Sequence, residues 1–160
     1  MRVAILTIST ARAAAGGSDD SGDRLEEFAR SIGGEIAARE IVSDERAEIE
    51  QWLCQWSDVD GHALVLTTGG TGVAPRDVTP EATRAVIERE VLGIAEAMRR
   101  ASSGHTVNWM LSRGVAGIRG STLIINFPGT PRSIVQTTSA LEPALAHALA
   151  LIAGTPTEHQ

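Results

Sequence analysis

Apolar residues follow two rhythms along this chain. Short runs rich in branched side chains, Val3 to Ile8, Ile36 to Val42, Ala63 to Thr67, Val115 to Ile118 and Thr122 to Phe127, predict strands. Between them apolar residues return every three or four positions, as on one face of a helix. Leu25, Phe28, Ala29 and Ile32 form such a face before Gly33-Gly34 ends it. Ile49, Trp52, Leu53 and Trp56 form a second on a helix starting near Ser43-Asp44-Glu45, whose acids favour a helix N-terminus. Thr79 is expected to cap a third helix with Pro80 in its first position, burying Ala82, Ala85 and Val86. Val91, Ile94, Ala95 and Met98 mark a fourth. Ile134, Thr138, Leu141, Leu145 and Ile152 mark a last one, which Pro143 is expected to kink or divide. Ser9 to Gly22 reads as a long loop, and Ser102 to Arg113 as loop with a short helix. Strands alternating with helices predict a mainly parallel sheet covered on both faces.

Composition narrows the class. A chain of 160 residues, 42% hydrophobic, is expected to form one domain, residues 1–154, followed by a short tail, 155–160. All 14 basic residues are Arg, against 20 acidic ones, and the net charge of −6 argues against nucleic acid or an anionic membrane as partner. The absence of Lys excludes Schiff-base chemistry and a lysine-bearing P-loop. Cys54 is the sole cysteine, which agrees with a reducing, cytoplasmic location. The first apolar run is too short for a signal peptide, and no segment reaches the about 18 apolar residues of a membrane helix.

The main chemical signal is Thr67-Thr68-Gly69-Gly70-Thr71-Gly72, directly after a strand. Its glycines let backbone N–H groups converge on an anion, and its hydroxyls add donors. A flexible turn would look the same. On the phosphate reading, Val at Gly70 or Gly72 is expected to weaken ligand binding more than folding. Arg76-Asp77-Val78-Thr79-Pro80-Glu81 follows, and beside a phosphate loop Asp77 is placed to hold Mg²⁺ against a triphosphate, although an acid there also suits a helix dipole. Asp44 ends the second strand where ligands gather in open α/β sheets, and equally reads as a cap. Asn126, Pro128 and Gly129 follow another strand, and Ser112-Arg113 offers donors to an anion. The four His residues show no ligand spacing.

In this order, Thr68-Gly-Gly-Thr-Gly72, Arg76 to Glu81, Leu111-Ser-Arg113 with Gly117 to Gly120, and Asn126 to Gly129 with Pro131 resemble the MogA/MoaB family, which is similar to the G domain of gephyrin. The resemblance implies a three-layer α/β/α domain with a mainly parallel mixed sheet, usually trimeric, that binds molybdopterin and Mg-ATP. It implies adenylyl transfer to molybdopterin with release of pyrophosphate. Asp44 and Asp77 match the family's two essential acids, with roles in metal binding and catalytic positioning. Ser9, Ser21, Gly22, Thr68, Gly69, Gly70, Thr71, Gly72, Glu81, Ser112, Arg113, Asn126, Pro128 and Gly129 match the pterin and nucleotide sites. Asp19-Asp20-Ser21-Gly22 fits the family's Asp-x-Ser-Gly. Arg132 stands where Lys is usual, which keeps the charge and changes its geometry. Two other activities suit the same motifs: a non-catalytic molybdopterin-binding module, and a hydrolase of dinucleotide pyrophosphates resembling CinA. Other proteins of molybdenum cofactor biosynthesis remain open as partners.

Overall fold

A computed structural model describes residues 1–155; residues 156–160, most of the expected tail, lie outside the described residues. Its six strands are β1 (Arg2–Ile8), β2 (Glu35–Val42), β3 (Leu64–Thr68), β4 (Arg89–Glu90), β5 (Ala116–Arg119) and β6 (Thr122–Phe127). They form one sheet in the order β2-β1-β3-β6-β5-β4. The first four in that order are parallel, and β5 pairs antiparallel with both β6 and β4. The helices are α1 (Thr10–Ala15), α2 (Asp20–Ser31), α3 (Arg46–Cys54), α4 (Thr79–Val86), α5 (Leu92–Ser103) and α6 (Pro131–Ile152).

The unbroken apolar run of β1 follows from its central place. Val3 and Ile5 belong to a core with Leu25 and Phe28 of α2, Met98 of α5 and Ile134, Leu141 and Leu145 of α6. Ala4, Leu6 and Ile8 belong to a second core with Ile49 and Leu53 of α3 and Ala82 and Val86 of α4. Side chains alternate across a strand, so a strand covered on both sides must be apolar at every position. This yields the expected three layers. Trp56 completes the stripe of α3 from a π-helical turn, Gln55–Val59, and is 1% exposed.

Several local expectations are corrected. The stretch Ser9 to Gly22 is not all loop: Ser9 accepts a hydrogen bond from the Arg12 N–H and caps α1, while Asp19 caps α2 through the Gly22 N–H. Thr79 does not cap α4 with its side chain. It lies inside the first turn, fully buried, and its hydroxyl donates to the Gly69 carbonyl at 2.9 Å. Ala85 is exposed, and Thr83 takes its place on the buried face. In α6 the buried threonine is Thr137 rather than Thr138, and its hydroxyl donates within the helix to the Ser133 and Ile134 carbonyls. Pro143 does not divide α6, which runs unbroken from Pro131 to Ile152 with Pro143 exposed. The short edge strand β4 carries no apolar pattern and was not expected.

Candidate active site

Parallel strands deliver their C-terminal ends to one edge of the sheet. After β1 the chain passes to β2 on one side, and β3 then lies on the other, so β1 and β3 flank a point where the strand order reverses. Ligands of open α/β sheets bind at such a crevice. Ser9 and Thr10, Ser43 and Asp44, Gly69 and Gly70, and Pro128 and Gly129 all follow strands that end there.

The glycine-rich loop is held by its carbonyls. Gly69 O accepts from the Thr79 hydroxyl, Gly70 O from the Thr79 N–H, Thr71 O from the Arg113 N–H and Gly72 O from Arg113 Nε. With four consecutive carbonyls bonded within the protein, none of the described hydrogen bonds uses the N–H groups of Gly69 to Gly72, and converging backbone N–H groups are what an anion requires. The glycines differ in what they do. Gly69 and Gly70 have φ of +97° and +63°, and a Cβ would overlap the Ile8 carbonyl and the Thr79 hydroxyl respectively. Gly70 is therefore a folding requirement as much as a binding one, which corrects the expectation for its replacement by Val. Gly72 has no such backbone need, and its Cβ would lie 2.8 Å from Asp77 Oδ2. Gly72→Ala is expected to shift that carboxylate, lowering turnover by about tenfold with little change in Tm. Parallel rate and melting measurements check this, and an equal loss of stability would contradict it.

Around the loop, several matched residues turn out to hold the frame. Thr68 Oγ1 donates to the Pro128 carbonyl at 2.7 Å, and Ser21 Oγ, buried, donates to the Gly129 carbonyl at 2.9 Å. Together with the Asp19 cap on Gly22, this gives the Asp-x-Ser-Gly motif a structural reason. Asp19 is itself buried and accepts from the Thr7 hydroxyl and from Arg39, which also pairs with Asp23 and Glu26. No sequence signal marked Arg39.

Arg113 and Asn126 also brace the site from within. The Arg113 guanidinium donates to the carbonyls of Gly72 and Asp77 and to the Glu81 carboxylate. That hydrogen bond holds the Glu81 carboxyl below its ordinary range. Asn126 is 1% exposed; its amide donates to the hydroxyls of Thr67 and Thr83 and its oxygen accepts from the Val115 N–H.

Asp44 and Asp77 remain at the opening. Asp44 is set by the turn after β2, where the Ser43 N–H and hydroxyl both bond Glu48. Its Oδ2 accepts from the Thr10 N–H at 2.9 Å and the Thr10 hydroxyl at 2.6 Å. Asp77 Oδ2 accepts from the Ala74 N–H at 2.9 Å. The two acids meet indirectly: Arg76, next to Asp77, donates to Thr10 Oγ1 at 2.8 Å. Thr10 was missed by motif reading, since one hydroxyl in a small-residue stretch has no pattern.

Two cavities open near Asp77, and Asp44 lines neither of them. One, about 380 Å³, is lined by Gly70 to Val73, Asp77, Asn108, Leu111, Ser112, Pro128 and Gly129. The other, about 420 Å³, shares Asn108, Ser112 and Pro128 and adds Arg99, His105, Trp109 and Arg132 among its walls. Asn108 and Trp109 belong to a 3₁₀ turn, Val107–Leu111, within the segment whose period was unreadable.

The chain matches the family model "Probable molybdopterin binding domain" over residues 4–147. It is 44% identical over 148 residues to the molybdopterin adenylyltransferase of Escherichia coli strain K12, covering 90% of this chain and 75% of that protein. It is also 44% identical over 121 residues to gephyrin of Dictyostelium discoideum, which covers 76% of this chain and 17% of gephyrin's length. Its structure superposes on the crystal structure of the molybdopterin biosynthesis enzyme MoaB from Thermus thermophilus with a TM-score of 0.90 and 45% identity, over 98% of this chain and 99% of that one. The chain therefore belongs to the MogA/MoaB family of molybdopterin-binding domains.

Proposed function

We propose that this protein is a molybdopterin adenylyltransferase. The terminal phosphate oxygen of molybdopterin attacks the α-phosphorus of ATP; a P–O bond forms there, the bond from the α-phosphorus to the bridging oxygen breaks, and pyrophosphate leaves. The observation that carries this is the glycine-rich loop whose carbonyls are all held within the protein, with Asp77 beside it in one of two cavities that share a wall and Asp44 linked to that segment through Thr10 and Arg76. Two ring-bearing polyanions must be brought together in line, so positioning and charge neutralisation supply most of the rate. The cavities separate the two ring systems, the loop amides neutralise phosphate, and Arg99 and Arg132 add positive charge to the larger cavity.

Mg²⁺ enters this reading with ATP. Among the described residues no group of three or more His, Cys, Asp or Glu is placed to hold a metal. Mg²⁺ binds through one or two carboxylates together with substrate phosphates and water, and Asp44 and Asp77 fit that need. Bound there with the nucleotide, the ion would neutralise charge on the triphosphate.

Pyrophosphate release from ATP that depends on molybdopterin tests the reading. Hydrolysis of ADP-ribose in its place would favour the CinA-like hydrolase, and molybdopterin binding without turnover would favour the binding module.

The proposal extends to assembly and location. Val91, Ile94, Ala97, Leu141, Leu145 and Leu151 line an apolar groove between α5 and α6, and Leu92 is 60% exposed beside it. A trimer is the expected state because the family resemblance implies it, and apolar surface of this kind favours association in general; light scattering that gives a monomer at micromolar concentration would contradict it. Among the described residues no helix is long and apolar enough to cross a membrane, and the cytoplasm is the proposed location.

A further inference from the structure

We propose that Thr10 is a positioning residue of the transfer site: it fixes the Asp44 carboxylate and tethers Arg76, and with it the segment carrying Asp77, to the end of β1. This rests on the adenylyl-transfer reading above. A hydroxyl has one proton to donate and two lone pairs to accept with. Thr10 Oγ1 uses all three: it donates to Asp44 Oδ2 at 2.6 Å, and accepts from the Asp44 N–H at 3.0 Å and from Arg76 Nη2 at 2.8 Å. Every one of its bonds thus goes to Asp44 or to the neighbour of Asp77.

The consequence for Asp44 is directional. Its described hydrogen bonds, from the Thr10 N–H and hydroxyl, both fall on Oδ2, so Oδ1 is the oxygen without a described partner. For Asp77 the link runs through the chain. Its carboxylate closes a turn on the Ala74 N–H, its N–H donates to the Ala74 carbonyl, and the Arg76 side chain between them is anchored on Thr10. The element that carries Thr10 buries none of its residues and is held by hydrogen bonds: the Ser9 cap, the Ser9 N–H to the Val42 carbonyl, Arg12 to the Ser18 carbonyl, and Thr10 to Asp44. Thr10 therefore joins three separate strand ends: its own after β1, that of β2 through Asp44, and that of β3 through Arg76.

The test compares Thr10→Val, which keeps the shape and removes the hydroxyl, with Thr10→Ser, which keeps the hydroxyl. Two readouts are taken on the full chain: steady-state pyrophosphate release with molybdopterin and Mg-ATP, and amide hydrogen exchange without ligand. Loss of hydrogen bonds to charged partners is expected to lower kcat about tenfold in Thr10→Val, with KM for molybdopterin essentially unchanged. Exchange is expected to quicken in residues 73–77 as well as 10–15, and Thr10→Ser is expected to restore both readouts. Exchange that quickens only in 10–15, or a kcat that holds in Thr10→Val, overturns the proposal. Asp44→Asn and Asp77→Asn are assayed alongside. If they turn over normally, or if the unaltered protein releases no pyrophosphate, the transfer reading fails, and the exchange pattern still decides whether Thr10 ties the two segments together.

Discussion

Asp44→Asn and Asp77→Asn are each expected to lower adenylyl transfer by about 100-fold or more, the usual loss on removing one electrostatic catalytic group, while binding molybdopterin and folding as before. The amide retains one acceptor oxygen. At Asp44 that oxygen can keep the bonds from Thr10, and at Asp77 the bond from the Ala74 N–H. What is lost is the negative charge that holds and orients Mg-ATP. Rates of pyrophosphate release beside molybdopterin titrations and melting curves separate the two effects. Near-normal turnover in both folded variants would reject the assigned roles and leave a binding module.

Asn126→Ala is expected to act on stability instead. It strands the Val115 N–H and the hydroxyls of Thr67 and Thr83 in a buried layer, and each unsatisfied group costs about 1–3 kcal/mol. Allowing for relaxation, a loss of about 3 kcal/mol is expected, or roughly a 10 °C fall in Tm for a domain of this size. If Asn126 were a ligand donor, the variant would melt close to the unaltered protein and bind substrate poorly. Differential scanning calorimetry with a molybdopterin titration distinguishes these outcomes.

The contrast between Asn126 and Asp77 shows what sequence could and could not reveal. Layered strands and helices are readable because burial on one face or two imposes a period on apolar residues. Val3 to Ile8 and the stripe Ile49 to Trp56 carry that period directly. Asp44 and Asp77 could be singled out because acids beside strand ends and a glycine loop are few. Whether a polar side chain faces a ligand or a neighbour depends on contacts far apart in the chain. Arg113 is claimed by Glu81 and the Gly72 carbonyl, and Asn126 by Thr67 and Thr83, and none of these contacts leaves a local pattern. Thr10 escaped for the same reason, since its partners lie 34 and 66 residues away.

The fate of the α-phosphate decides whether the site performs transfer. Incubating the protein with molybdopterin, Mg²⁺ and ATP labelled at the α-phosphorus is expected to move the label onto the pterin, one equivalent for each pyrophosphate released, and to leave none as free AMP. Label that accumulates as AMP, or remains in ATP while molybdopterin is bound, would contradict adenylyl transfer.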